Sequence, residues 1–119
     1  MKVKSLDNLF AEFVDLCEFT LRRRPATLKA YRDSYKQFRQ LLPEVNQPFH
    51  LSNLKMNEFF KLLQTRKRIV GRDTIKVGVK DSTIGTYWSK LNTFFVWLET
   101  EGHIEQNPLS KIKKPKEIA

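Results

Sequence analysis

Two short stretches of this 119-residue chain set cations among small hydroxyls: Arg24, Thr27 and Lys29 in the first, and Ser82, Thr83, Thr86 and Lys90 in the second. Lysine and arginine neutralise phosphate and release its counterions, while a short hydroxyl lets a helix start approach a phosphate or a base edge. That is binding chemistry. A catalytic signature is missing: Cys17 is the single cysteine, which rules out an internal disulfide and a cysteine-rich metal site, and His50 and His103 stand far apart. No glycine loop is built to cradle phosphate, since the four glycines read as turn residues. The expectation is a chain with no catalytic residues, no metal and no cofactor. A plainer reading stands beside the binding one, in which Thr27, Ser82 and Thr83 are helix caps and the lysines a solvated face.

Charge favours the binding reading. Lys and Arg number 22 against 13 Asp and Glu, a net +9, which suits a polyanionic partner. The cations are also clustered: "RRRPATLKAYRDSYKQFRQLL", from Arg22 to Leu42, holds seven with one acid, Asp33. No apolar run approaches a bilayer's thickness, and the start lacks an apolar core followed by a small-residue cleavage site. The expected place is the cytoplasm, with no membrane partner.

The elements that would carry these residues follow from periodicity. Leu6, Leu9, Phe10, Phe13, Leu16, Cys17 and Thr20 recur at helical spacing, predicting a helix from Ser5 to Leu21 whose outer face holds Asp7, Glu12, Asp15 and Glu18. A second helix opens near Pro25 and buries Leu28, Tyr31, Tyr35, Phe38 and Leu42. After a loop, Ser52 or Asn53 caps a third, with Met56, Phe59, Phe60 and Leu63 inside and an end near Arg66 or Lys67. "RIVGRDTIKVGVK" then alternates β-branched and polar residues, which fits either a short ribbon turning at "GRD" or a loop over about 68–80. The last helix starts at a cap on Asp81 or Ser82, ends at Gly102 and buries Ile84, Tyr87, Trp88, Leu91, Phe94, Phe95 and Leu98. Trp97 lies off that stripe and reads as a contact with another element or domain. The fold class is all-α. If the second and fourth helices lie side by side, Arg24, Thr27 and Lys29 come near Ser82, Thr83, Thr86 and Lys90.

In order, "PATLKAYRDSYKQF", "DSTIGTYWSKLNTFFVWLETEGHIEQNP" and "LSKIKKPK" resemble the core-binding domain of tyrosine recombinases, the phage integrase and Xer group. Thr27 with Tyr31 matches a helix-opening Thr and the Tyr four residues on, "STI" and Phe94–Phe95 match the later helix, and Gly102, Ile104, Asn107 and Pro108 match a G-x-I-x-x-NP ending before a basic linker that includes Pro115 and Lys116. The likeness covers about Ser5 to Lys116; the departure is the longer stretch before the last helix. It implies a four- to five-helix, SAM-like orthogonal bundle over residues 1–110, with 111–119 starting a linker to a catalytic domain that lies elsewhere. Its implied partner is double-stranded DNA, clamped at a recombination half-site, with tetramer assembly on DNA by the full protein. By position, Thr27, Lys29, Ser82, Thr83, Thr86 and Lys90 are the implied DNA contacts and Arg24, Lys36 and Lys80 the implied phosphate contacts. The family's nucleophilic tyrosine belongs to the other domain, so Tyr31, Tyr35 and Tyr87, all on apolar stripes, are expected in the core. The alternatives are a helical interaction module and a regulator that binds DNA without cutting it.

Overall fold

A computed structural model describes residues 4–70 and 74–114. Four α-helices carry the chain: α1 (Leu6–Asp15), α2 (Pro25–Leu41), α3 (Asn53–Thr65) and α4 (Asp81–Thr100). A two-stranded antiparallel ribbon, β1 (Lys67–Val70) with β2 (Thr74–Val77), joins α3 to α4, so the ribbon alternative holds. Its expected turn, Gly71 to Asp73, lies outside the described residues, as do Pro115 and Lys116 of the basic tail.

Local chemistry sets the boundaries. Ser5 and Ser52 cap α1 and α3, each hydroxyl accepting from the N–H three residues on, at 3.2 and 3.1 Å. Pro25 opens α2 where its missing N–H costs nothing. The expected helix from Ser5 to Leu21 does not run through. Residues Leu16–Thr20 take π winding, in which Leu21 N–H reaches Leu16 O at 2.9 Å. The extra residue in that turn breaks the α period, so Cys17 stays buried while Leu16 is only half-buried and Thr20 is exposed. Arg22 then takes a left-handed φ of 53°, which reverses the chain into α2.

α1 and α2 run antiparallel. Phe13 meets Tyr31 (5.2 Å between ring centres), Phe10 stacks on Tyr35 (4.0 Å) and Asp7 accepts from Arg39 (3.0 Å). Against α2, α4 ascends: Lys90 with Tyr31, Phe94 with Tyr35 (5.7 Å), Phe95 with Phe38 (6.1 Å). Against α1, Phe94 meets both Phe10 (5.2 Å) and Phe13 (5.3 Å), and Trp97 meets Phe13 (5.7 Å). The three helices thus share one aromatic core, with Phe94 fully buried at its centre. Trp97 has its contact inside the bundle, on α1. α3 closes the core by setting Phe59 between Phe38 (5.5 Å) and Tyr87 (6.4 Å).

Two expectations need correction. The cap of α4 is Lys80, one residue before Asp81, and it makes no side-chain cap bond. Gly85 is not a turn residue but lies buried within α4. Within residues 1–110, Asn107, Pro108 and Leu109 after Gly102 are buried, and Ile112 beyond them is half-buried against the core. Gly102 itself ends α4 as expected, with φ 80°.

Candidate nucleic-acid interface

The seam between α2 and α4 is marked by Lys90, whose Nζ lies 5.0 Å from the centre of the buried Tyr31 ring. Residues three to four apart share a helix face, so the neighbours of this contact follow from spacing. On α2, Thr27 lies one turn before Tyr31, and Arg24, the cap, two turns before it. On α4, Thr86 lies one turn before Lys90 and Thr83 two. A turn rises about 5.4 Å. Thr27 and Arg24 therefore share the Tyr31 side of α2, and Thr86 and Thr83 the Lys90 side of α4.

Ser82 and Thr86 continue a hydroxyl stripe along the outer face of α4. Thr86 Oγ1 donates to Ser82 O at 3.0 Å and Thr93 Oγ1 to Ser89 O at 3.1 Å. Donating inward leaves each hydroxyl oxygen able to accept, while Ser82, Thr86 and Thr93 are exposed.

Lys29 and Lys36 are elsewhere. At about 100° per residue they stand roughly 140–160° around α2 from Tyr31, on the side turned from the seam. Lys29 Nζ donates to Asp33 Oδ2 at 2.6 Å, and that bond raises the ammonium pKa. On the same flank, Arg32 reaches Glu18 across 3.7 Å. Spacing thus sets Arg24 and Thr27 on the Tyr31 side of α2 and Thr83 and Thr86 on the Lys90 side of α4, with Ser82 and Lys80 at the start of α4 and Lys29 and Lys36 on the flank nearer acidic α1.

The helix starts differ in a way that composition does not show. α1 and α3 are closed by their own serine side chains. α2 and α4 have no side-chain cap, and each is preceded by an exposed cation, Arg24 or Lys80. First-turn N–H groups have no partner inside a helix, and the dipole makes that end positive. Each of these two starts is suited to an anion. Which helices were capped was not legible from sequence, because Thr27, Asp81, Ser82 and Thr83 all offer capping side chains near the right places.

Other titratable and aromatic groups pack or bond within the fold. Burial raises the Cys17 thiol pKa, with Arg23 opposing. Tyr35 is driven far above the usual phenol range by burial and by its bond to Asp7, to which its hydroxyl donates at 2.6 Å. Tyr31 is buried beneath Lys90, and Tyr87 packs on Phe59. His50 Nδ1 accepts from Asn46 and Gln47 N–H, both at 3.3 Å, and His103 lies against Trp97. Among the described residues no three of His, Cys, Asp and Glu cluster to hold a metal, and no helix is long and apolar enough to cross a membrane. A cleft of about 480 Å³ opens at the other end of α4, between Pro48–Asn53 and His103–Pro108.

The chain is similar to a curated tyrosine recombinase from Thermosipho africanus (strain TCF52B), with 32% identity over 112 residues. That match takes in 93% of this chain and 36% of the relative, so the chain spans about a third of the relative's length. No protein-family model matches the chain. No solved structure matches it either.

Proposed function

We propose that this chain belongs to the tyrosine recombinases and is their core-binding, SAM-like part, which grips one side of a recombination half-site through the α2/α4 seam. The observation that carries the reading is the pairing of two helix starts, each without a side-chain cap and each preceded by a cation, with the hydroxyls and Lys90 that line the seam between their helices. Similarity to a recombinase over 93% of the chain supports DNA as the partner class. In this reading Arg24, Lys80 and Lys90 bind phosphates, while Thr27, Ser82, Thr83 and Thr86 bond phosphates or base edges without holding the backbone away. Lys29 and Lys36 lie off the seam and are demoted to long-range attraction.

Strand cleavage and rejoining belong, in this proposal, to another part of the full protein. Tyr31 and Tyr35 are buried on the apolar face and perform no nucleophilic step. Assembly as a tetramer on DNA and a cytoplasmic site of action are part of the same proposal for the whole protein.

The test is the salt dependence of duplex binding. With roughly five phosphate contacts, log K should fall against log salt with a slope near −4 to −5. A flat response contradicts the DNA reading. Concentration-dependent dimerisation with no DNA affinity would favour the helical interaction module instead.

A further inference from the structure

The segment after α4 turns at Gly102 and comes back along the helix it has left. Asn107 is the hub: its backbone N–H donates to Glu99 Oε2 (2.8 Å), its Nδ2 to Asn92 Oδ1 (2.7 Å), and its Oδ1 accepts from Leu109 N–H (2.9 Å). Farther along, Ile112 O accepts from Trp88 Nε1 at 3.1 Å, and Asn53 Nδ2 donates to Pro108 O. The contacts on α4 descend from Glu99 and Asn92 to Trp88 as the strap ascends from Asn107 to Ile112. It therefore heads toward the start of α4.

Trp88, Asn92 and Glu99 recur at helical spacing on one flank of α4. Lys90 is two residues from Trp88, about 200° around the axis, on the α2 flank. Between the two flanks lies the outer hydroxyl stripe of Ser82, Thr86 and Thr93. Lys111, Lys113 and Lys114 are exposed on the strap, and from Asn107 to Lys114 the sequence "NPLSKIKK" contains no acid. The acid at its anchor, Glu99, is bonded to the Asn107 N–H. Cations held in place lose less freedom on binding than cations on a loose tail.

We propose that the docked strap is a second rim of the nucleic-acid surface: Lys111, Lys113 and Lys114 bind DNA phosphates across the hydroxyl stripe from Lys90, and the Trp88–Ile112 bond holds them there. The proposal rests on the DNA reading above.

Anisotropy titrations of labelled duplex DNA over a salt series test it, with the chain carrying Lys111→Ala, Lys113→Ala and Lys114→Ala together, and separately Trp88→Phe. The triple variant removes only exposed side chains, so its thermal unfolding should match that of the parent. Each lost phosphate contact takes about 0.9 from the slope, so the triple variant should lose roughly 2–3. A parent slope near −4 to −5 that the triple variant leaves unchanged overturns the proposal while the DNA reading stands. A parent with no salt-dependent binding brings down both. Trp88→Phe keeps every charge and breaks one bond. It should weaken binding several-fold and speed hydrogen exchange at the Ile112 N–H, which now bonds Leu109 O at 3.0 Å. Persisting protection, or released protection with unchanged affinity, removes the clip from the account.

Discussion

Asp7 shows how a single residue ties two helices. Partial burial pushes its carboxyl pKa up, but hydrogen bonds from Tyr35 (2.6 Å) and Arg39 (3.0 Å) pull it down and prevail. A carboxylate depressed in the fold stabilises it at pH values above its unfolded pKa, and the contribution is lost as pH falls through the folded value. Stability should therefore decline on the acid side of the ordinary carboxylate range, and Asp7→Asn should flatten part of that decline in urea unfolding followed against pH. An unchanged pH profile would contradict the role. Asn107 offers a sharper test, being buried with both side-chain ends bonded. Asn107→Ala leaves Leu109 N–H and Asn92 without their partners and should cost about 1–3 kcal/mol, read from the urea midpoint. Asn107 was noticed in the sequence only as part of a motif, since a buried asparagine at the end of a domain has no periodic signature.

Among the elements, the apolar stripes of α2, α3 and α4 were legible because each obeys one helical period from end to end. Leu28, Tyr31, Tyr35 and Phe38, for example, are all buried as their spacing requires. α1 was legible only as far as Asp15. Beyond it the π turn changes the period, and nothing in "LCEFT" announces that change. The ribbon was undecided on sequence because alternation alone does not order a hairpin. What pins it at its base is visible in Gly78, which has φ 75° and an N–H that donates to Arg66 O at 2.9 Å. An added Cβ there would meet Gln64 O at 2.8 Å, closer than atoms tolerate. Gly78→Ala should therefore cost at least about 1–2 kcal/mol from the left-handed backbone alone, and should raise hydrogen exchange in β2 before it affects α1. Equal stability would mean that the ribbon is not anchored to α3.

For the molecule as a whole, the packing of α4 on α1 and α2 creates the seam. Which rings meet there is not encoded in any one stripe. Phe94 touches Phe10, Phe13, Tyr35, Phe95 and Trp97 at 5.2–6.2 Å between ring centres, so Phe94→Ala should destabilise by about 3–5 kcal/mol. Nine residues are implied as DNA or phosphate contacts by the family resemblance. Helical spacing puts Arg24 and Thr27 on the Tyr31 side of α2 and turns Lys29 and Lys36 away, because positions two and five residues from Tyr31 fall roughly 140–160° around the helix. The most direct test of the α2/α4 face compares two charge reversals of equal size in one DNA-binding assay: Arg24→Glu with Lys90→Glu, and Lys29→Glu with Lys36→Glu. The account predicts that the first pair nearly abolishes binding while the second weakens it only modestly, through net charge. Equal losses, or a greater loss from the second pair, would contradict it.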